Sequence, residues 1–480
     1  MKRHWLAAIV SVAMAASLLG GCSSPQGNSG GASASQEAGS APEAGPAAGD
    51  EGSGEADGAE GAGGAEGAAG AEASAGETDF SGQTLTMAIP TVDGEIDAIT
   101  AQIKAFEEKY GVTVDLEILP QGDEGENLKL VRIATGAMAD VFMSAVGAKL
   151  TELSPAENMM DLSGQPFLEN VDDGYLSIVT IDGAVYGVPI CPSNVAGVFY
   201  NTKVYEELGL EVPETWDAFL ENCQYIKENT EIAPVAAPNS QTSLSQIPFL
   251  TNYYYVQESN PTFAQDYTER KITLSECPEY VEGLQKMYDL AVNEHLNEDY
   301  LAATSEDVAM MLAEGTAAHS IIRSNILGTI AAVMPEQIND IGFFPLPDKD
   351  PAVRGVATWM PQAYLINKNA ENPELALKFM EYITSEEAVE VYCSYQKPSG
   401  AFMLKGVELP DDVYPALAEA QSWVEKASTP VMEYFCSIKG SNQATICSQV
   451  ASGQITPQEA VEEIEKDNEI DAQQKGLAGW

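Results

Sequence analysis

Hydrophobic and polar positions divide this 480-residue chain into three stretches of different character. Residues 5–19 form an almost unbroken apolar run, and the basic residues Lys2 and Arg3 precede it. Residues 23–79 contain no aromatic, leucine, isoleucine, valine or methionine side chain. From residue 80 onwards, apolar positions recur with the periods of strands and helices. The pattern therefore predicts an apolar leader, a segment without a core of its own, and a folded body.

The first part of the body has the pattern of alternating strands and helices. It predicts strands over residues 85–89, 112–118 and 141–143, and helices over 96–109 and 127–135. Such alternation is typical of an α/β sheet with crossover helices. Ligands of these sheets bind beyond the carboxyl ends of the strands. We therefore expect a cleft near residues 91–95 and 144–147.

Local signals predict the ends of two helices in the middle of the chain. Gly209 is free to adopt the left-handed conformation that ends a helix. Thr215 is a suitable N-cap for the next helix, which would bury Trp216 and Phe219. A later amphipathic helix places Phe379, Met380 and Ile383 on one buried side. Core packing is the expected role of these apolar side chains.

The apolar leader is too short to span a bilayer, which takes about 20 residues. It fits the hydrophobic region of a secretory signal. The segment Leu19-Gly20-Gly21-Cys22 resembles the lipobox of bacterial lipoproteins. This resemblance implies that residues 1–21 are a lipoprotein signal peptide and that Cys22 becomes a lipid-bearing N-terminus. An ordinary signal followed by an incidental cysteine is the alternative.

Residues 22–80 are expected to form a disordered, acidic Gly/Ala/Ser tether. Between residues 23 and 79 there are eleven acidic side chains and no lysine or arginine. No apolar contact in this segment could offset the entropy of ordering its backbone. The segment would hold the body flexibly above a membrane surface.

The charge and the cysteines exclude several classes of protein. A net charge of −50 makes nucleic acid and anionic lipid poor partners. No C-x-x-C pair occurs, so a zinc ribbon or thioredoxin-type site is excluded, and we expect neither a metal nor a cofactor. Disulfides and free buried thiols both stay open for Cys191, Cys223, Cys277, Cys393, Cys436 and Cys447.

Six segments of the body resemble, in their order and spacing, family 1 of the bacterial extracellular solute-binding proteins. These proteins are the ligand receptors of ABC importers, and maltose-binding protein is a member. The segments begin with Tyr-Gly-Val-Pro and end with Ser-Gly-Gln-Ile-Thr-Pro-Gln-Glu-Ala; they are residues 186–189, 198–219, 311–318, 341–347, 372–388 and 452–460. The resemblance extends over nearly all of residues 82–475.

The resemblance implies a two-lobed α/β fold of the periplasmic-binding-protein type, class II, with the ligand cleft between lobes joined by hinge crossovers. Residues 82–192 and 348–392 would form the N-terminal lobe, and residues 193–340 and 397–480 the C-terminal lobe. The protein would be a lipid-anchored monomer that faces the extracellular side or the periplasm. It would close around a solute, most readily a carbohydrate, and deliver it to the importer's membrane subunits.

The resemblance also gives candidate ligand contacts. The family commonly places a stacking tryptophan after the strand that ends at residue 322, where this chain has Arg323 and Asn325. We expect Trp359 in a loop, where it would replace the missing stacking tryptophan together with Arg323. Core packing is the alternative role for the Trp359 indole. The full expected set is Asp93, Glu95, Asn194, Ser243, Tyr253, Arg323, Asn325 and Trp359.

The sequence leaves alternatives to a sugar receptor. The same fold could bind a non-sugar solute, such as a polyamine or an organic acid. An exported glycoside-acting enzyme is a more distant alternative, and a surface adhesin is another. Only three histidines occur, His4, His295 and His319, and there is no H-E-x-x-H motif. We therefore expect no enzymatic activity.

Overall fold

The computed structural model describes residues 78–90, 95–120 and 123–480. The expected signal peptide, Cys22, nearly all of the tether and the candidate contact Asp93 lie outside these residues. No helix in the described ranges is long and apolar enough to cross a bilayer.

Thirteen strands occur in the described part of the chain. They are β1 (Thr84–Pro90), β2 (Thr113–Leu119), β3 (Val141–Ser144), β4 (Thr180–Ile181), β5 (Ala184–Val185), β6 (Gly187–Pro189), β7 (Asn194–Asn201), β8 (Ala233–Val235), β9 (Ala317–Arg323), β10 (Ile341–Phe344), β11 (Val356–Trp359), β12 (Ala363–Ile366) and β13 (Ser428–Pro430). The strands predicted from the pattern at the start of the body correspond to β1, β2 and β3, and these predictions are confirmed.

The strands form two main sheets and one small hairpin. The first sheet has the order β2-β1-β3-β12-β6, and the second has the order β13-β11-β7-β9-β8 with β10 also paired to β7. In the first sheet β1 is parallel to β2 and β3, whereas β12 runs antiparallel to β3 and β6. Strands β4 and β5 pair with each other. Two open α/β sheets are the architecture that the family resemblance implies.

Helices surround both sheets. The α-helices are α1 (Ile96–Tyr110), α2 (Asp123–Thr135), α3 (Ala148–Thr151), α4 (Pro155–Asn158), α5 (Asp173–Val179), α6 (Thr202–Leu208), α7 (Trp216–Asn229), α8 (Thr242–Ser245), α9 (Ile247–Thr251), α10 (Tyr253–Ser259), α11 (Phe263–Thr268), α12 (Pro278–Val292), α13 (Ser305–Glu314), α14 (Ile326–Val333), α15 (Pro373–Ile383), α16 (Glu386–Tyr395), α17 (Pro415–Lys426), α18 (Gln443–Ala451) and α19 (Pro457–Gln474). Four short 3₁₀ turns cover Pro166–Asn170, Leu274–Glu276, Ile338–Asp340 and Met432–Tyr434.

The predicted helix ends are confirmed. Gly209 has a φ of 66°, a left-handed conformation in which a side chain is strained, and it closes α6. Thr215 accepts a hydrogen bond from the Ala218 N–H and caps α7. Trp216 at the start of that helix is 4% exposed, and the core residues expected on α15 are buried as well. These helices are held by packing of one apolar side.

Each sheet has its own hydrophobic core. One large cluster includes β1, β3, β12 and the inner sides of α1 and α15. Other clusters enclose the second sheet, one beneath α12, α18 and α19 and another around α13, α14 and α17. We call the first sheet with its helices the first lobe and the second sheet with its helices the second lobe.

The lobe boundaries differ in two places from the expected ones. The second crossing of the chain between the lobes was expected near residue 348. It lies instead between Trp359 and Ala363, because β11 pairs with β7 and β13 in the second sheet. The third crossing is also later, since Phe402 and Leu404 still pack in the core of the first lobe. The first crossing, between β6 and β7, comprises residues 190–193.

All six cysteines after Cys22 are free thiols. Cys436 and Cys447, the pair nearest in sequence, both lie in the core beneath α12, α18 and α19. Burial raises the pKa of the Cys447 thiol to about 12, so this group stays protonated at neutral pH. The sequence left disulfides and free thiols open, and in the structure the cysteines are free and mostly buried.

Candidate ligand-binding cleft

Two adjoining cavities lie between the facing edges of the two sheets. One has a volume of about 640 Å³ and is lined by Trp359, and we call it the Trp359 cavity. The other has a volume of about 900 Å³ and is lined by Tyr395, and we call it the Tyr395 cavity. Both are of the size of small-molecule sites, roughly 300–1,000 Å³. They share four lining residues, Glu95, Ser243, Arg323 and Asn325, and together form the cleft.

Strand ends bring the polar groups of the second lobe to one edge. β7 begins at Asn194, while the antiparallel strands on either side of it, β11 and β9, end at Trp359 and Arg323. Trp359 is paired with Asn194, and Arg323 is paired with Ala196. The sequence expectation placed Trp359 in a loop, but it is the last residue of a strand. Antiparallel order therefore concentrates these side chains at the edge that faces the first lobe.

Hydrogen bonds fix the start of β7. The Ser324 N–H donates to the Val195 carbonyl oxygen, and the Val195 N–H donates to Ser324 Oγ at 3.1 Å. Ser324 Oγ in turn donates to Asn194 Oδ1 over 3.4 Å. The next residue, Asn325, precedes α14 and lines both cavities. This arrangement holds the amide of Asn194 in place beside the crossing.

Glu95 occupies the centre of the cleft from the first lobe. It immediately precedes α1, and its side chain is 3% exposed. Oε1 accepts a hydrogen bond from Ser399 Oγ at 2.9 Å, whereas buried Oε2 has no hydrogen-bond partner in the described part of the chain. Burial raises the pKa of this carboxyl, while hydrogen bonds and the Arg323 guanidinium act in the opposite direction. The Cys191 thiol and the Tyr392 hydroxyl also interact with this carboxyl and lower its pKa, but neither forms a hydrogen bond of good geometry with Oε2. Oε2 is thus an acceptor that a bound donor can satisfy.

Four residues of the Trp359 cavity carry polar groups that the sequence reasoning missed. Lys129 on α2 is 2% exposed, and its ammonium contacts Glu126 Oε1 at 2.9 Å and the Met143 carbonyl oxygen at 3.3 Å. The others are Glu126, Gln362 and Tyr434. In the sequence, Lys129 is visible only as a lysine beside the apolar positions of α2. Its position in the cavity wall depends on the fold.

Gln362 and Tyr434 lie beside the second crossing. The buried Oε1 of Gln362 has no hydrogen-bond partner among the described residues. The Tyr434 hydroxyl donates to the Met360 carbonyl oxygen at 3.0 Å. The backbone of Tyr434 also lies very close to Gly147 of the first lobe. A Cβ added at Gly147 would come within 2.6 Å of the Tyr434 carbonyl oxygen. The two lobes are therefore in direct contact behind the cavity.

Of the expected contacts, Tyr253 lies outside the cleft and Ser243 lies in it. Tyr253 is buried on α10 in the second-lobe core, and its hydroxyl donates to Gln257 Oε1 at 3.1 Å. It lines a separate cavity of about 30 Å³, the volume of roughly one water molecule. Tyr253 lies away from the cleft because it sits on the inner side of its helix. Ser243, by contrast, is exposed on α8 and lines both cavities.

The cleft is chemically mixed. The Trp359 cavity combines two carboxylates, Glu95 and Glu126, with the cations of Lys129 and Arg323 and with amides and an indole. No group of three or more histidine, cysteine, aspartate or glutamate side chains suited to a metal ion occurs in the described ranges. Donors, acceptors and an aromatic face at one place suit an uncharged polar ligand with many hydroxyls.

Comparison with known proteins gives a consistent result. A model of the family described as bacterial extracellular solute-binding protein matches residues 93–390, more than half of the chain. The multiple sugar-binding protein of Streptococcus mutans is 24% identical over 323 residues, which cover 65% of this chain and 74% of that protein. The melibiose/raffinose/stachyose-binding protein MelE of Bacillus subtilis is 23% identical over 279 residues, 56% of this chain and 62% of that protein.

Solved structures share the fold. The solute-binding protein RafE in complex with raffinose aligns with a TM-score of 0.66 at 22% identity, covering 80% of this chain and 98% of that one. A chitin oligosaccharide binding protein aligns with a TM-score of 0.66 at 19% identity, covering 82% and 100%. At these identities the likeness is one of fold, the two-lobed fold in which the cleft described above lies between the lobes.

Proposed function

This chain belongs to the bacterial extracellular solute-binding protein family, and we propose that it is the receptor of an ABC importer that captures a carbohydrate in the cleft. The observation that carries this proposal is the Trp359 cavity. In this cavity the Trp359 indole lies among hydrogen-bonding groups from both lobes. Two buried acceptor oxygens, Glu95 Oε2 and Gln362 Oε1, have no hydrogen-bond partner among the described residues.

The chemistry of a sugar matches this cavity. One face of a pyranose ring is lined by C–H groups that pack on an indole, and the ring edge carries hydroxyls that both donate and accept. Glu95 and Gln362 would accept from hydroxyls, while Arg323 and the amides would donate to them. Burying an acceptor without a partner costs about 1–3 kcal/mol, so a ligand that supplies the donors gains much of its affinity there.

Capture requires groups from both lobes to meet around the ligand. Glu95 and Lys129 belong to the first lobe, Arg323 and Trp359 belong to the second, and Gln362 lies in the crossing between them. The chain crosses between the lobes near these residues, so a small rotation about the crossings changes their separation. A ligand that contacts both lobes only when they are closed shifts the equilibrium to the closed form, which the importer's membrane subunits would recognise.

The relatives support a sugar in place of another solute. Several carry names that state a sugar ligand, among them the multiple sugar-binding protein and MelE. We propose the same class of ligand here. An organic acid is the second candidate, because Lys129 and Arg323 put two cations in the Trp359 cavity. We propose no enzymatic activity, since the family consists of transport receptors.

The location follows from the leader. We propose that residues 1–21 are removed, that Cys22 is lipidated, and that the monomeric body stays outside the cell membrane on its acidic tether. Several fatty-acyl chains on one cysteine would give durable anchoring, whereas one chain binds a membrane only marginally. The strong negative charge makes nucleic acid an unsuitable partner.

Calorimetric titration of the purified protein against sugars, organic acids and polyamines tests the ligand class. We expect saturable 1:1 binding of at least one saccharide, with the saccharide recovered chemically unchanged. Binding of an organic acid alone would favour the second candidate. Cleavage of the saccharide would show an enzyme and would contradict the proposal.

A further inference from the structure

We propose that the ligand is an oligosaccharide whose outer rings occupy the Tyr395 cavity, with Tyr395 as an aromatic platform that sets the preferred chain length. The inference rests on the proposed carbohydrate function and names the size class of the sugar. It starts from the division of the cleft into two cavities that meet at Glu95 and Arg323. A single pyranose held at the Trp359 cavity leaves the larger cavity unused.

Tyr395 is placed and exposed as a platform would be. It is the last residue of α16, it lines the cavity wall, and its side chain is 64% exposed. One exposed aromatic residue is common on protein surfaces and alone indicates nothing. Here, however, the ring borders a cavity of about 900 Å³ that continues into the proposed sugar site. Among the described residues, no other ring and no cation stacks on it.

The second tyrosine of this cavity is engaged differently. Lys397 Nζ lies 5.2 Å from the centroid of the Tyr414 ring and also contacts Asp412 Oδ2 at 2.8 Å. One face of Tyr414 is therefore covered by a cation. Tyr395, at 64% exposure, is the more accessible of the two rings in this cavity.

The backbone links the two ends of the proposed binding path. The wall of the cavity continues from Tyr395 to Ser399, which donates a hydrogen bond to Glu95. Four residues extend at most about 14 Å, so one short oligosaccharide can reach both the carboxylate and the exposed ring. α16, which carries Tyr395, is held against α1 by the Gln102 Nε2–Ala388 O hydrogen bond of 2.8 Å. The helix that carries the platform is therefore held in place relative to α1, which Glu95 precedes.

The experiment compares affinities along homologous series, from monosaccharide to tetrasaccharide, of α-galactosides, α-glucans, β-xylans and chitooligosaccharides. Calorimetry is done on the wild-type protein and on the Tyr395→Ala and Tyr395→Phe variants. Tyr225→Ala is the control, since that tyrosine is 45% exposed on α7 and does not line the cleft. We expect affinity to rise from the disaccharide to the longer members of the series that binds.

In that series Tyr395→Ala should weaken binding of the tri- or tetrasaccharide by about tenfold and leave the shortest binding member unchanged. Tyr395→Phe should bind as the wild type does, because the ring and not the hydroxyl is required. Equal affinities for all lengths, or an equal effect of Tyr395→Ala on every length, would overturn the inference and leave the sugar receptor intact. Failure of every saccharide to bind would overturn the proposed function itself.

Discussion

Trp359 and Asn194 are paired across the antiparallel strands β11 and β7, the one as the last residue of its strand and the other as the first. Residues that face each other in this way project from the same side of a sheet. The indole and the amide thus reach the cavity together, one able to cover an apolar ring face and the other to hydrogen-bond to hydroxyls. Their pairing lies directly at the first and second of the three crossings between the lobes.

The first prediction concerns the indole. Trp359→Ala should weaken saccharide binding by about 1–3 kcal/mol, the range for aromatic side chains that anchor a ligand. The side chain is only half-buried, so the melting temperature without ligand should change little. Calorimetry and thermal unfolding of the same preparation check both statements.

Two other tryptophans serve as comparisons for Trp359. Trp423→Ala removes a half-buried indole on α17 that does not line the cleft, and it should leave affinity unchanged. Trp216→Ala removes a core indole and should destabilise the protein by about 3–5 kcal/mol. A Trp359→Ala protein that resembles Trp216→Ala in stability while its folded fraction binds normally would show that Trp359 is a core residue.

The second prediction concerns the buried carboxyl. Because the pKa of Glu95 is raised by folding, its contribution to stability is full below the unfolded value of 4.5 and is lost as the pH rises through the folded pKa. The melting temperature of the ligand-free wild type, relative to Glu95→Gln, should therefore fall as the pH rises above the unfolded value of 4.5. Thermal unfolding across this range gives the difference directly.

Glu314→Gln, at the exposed end of α13, is the matched control for Glu95→Gln. Its melting temperature relative to the wild type should show no such trend. A wild-type advantage over Glu95→Gln that instead grows towards neutral pH would contradict the raised pKa.

The third prediction concerns His319, which is buried in the second sheet. Its Nδ1 lies 2.7 Å from the Pro234 carbonyl oxygen and its Nε2 lies 2.6 Å from the Tyr205 hydroxyl. Burial lowers the pKa of the imidazole from 6.5 to about 4. Its contribution to stability, about 3 kcal/mol, is present above pH 6.5 and is lost as the pH falls through about 4.

NMR titration of the histidine ring protons checks the His319 value. The chemical shifts of the His319 ring protons should stay those of the neutral imidazole down to about pH 4. A His295→Asn variant identifies the signals of the other histidine of the body. Titration of His319 near its ordinary pKa of 6.5 would show that the ring is accessible to water.

The fourth prediction concerns the leader and the tether. Mass spectrometry of the protein extracted from membranes should find a mature N-terminus at Cys22 that carries lipid. Without the leader and tether, a chain that begins at residue 78 should bind its ligand within about tenfold of the full-length affinity, or 1.4 kcal/mol. An unmodified N-terminus at Ser23 or later would contradict the lipid anchor, and a larger loss would give the tether a part in binding.

The sequence predicted local structure better than long-range arrangement. The strand–helix alternation at the start of the body, the N-cap at Thr215 and the turn at Gly209 depend on neighbouring residues, and these predictions are confirmed. The crossing at residue 359 depends on which sheet β11 joins, and that pairing is between residues far apart in sequence. An apolar run that fits either sheet contains no signal for this choice.

The candidate site shows the same limit. Residues placed at or after strand ends, such as Arg323 and Glu95, reach the cleft because the ends of neighbouring strands meet at one edge. Tyr253 does not, since the direction of a helix side chain depends on the packing of that helix. Lys129 and Gln362 were missed because their places are set by how α2 and the second crossing lie against the cavity.

Small-angle X-ray scattering of the soluble protein with and without its saccharide most directly tests capture by closure of the two lobes. We expect the radius of gyration of the wild type to fall when the saccharide is saturating. At the same saccharide concentration, if it is below the Kd of Trp359→Ala, the radius of gyration of that variant should stay at its ligand-free value. A saccharide that binds the wild type at 1:1 stoichiometry without any change in the scattering curve would contradict closure of the cleft around a sugar.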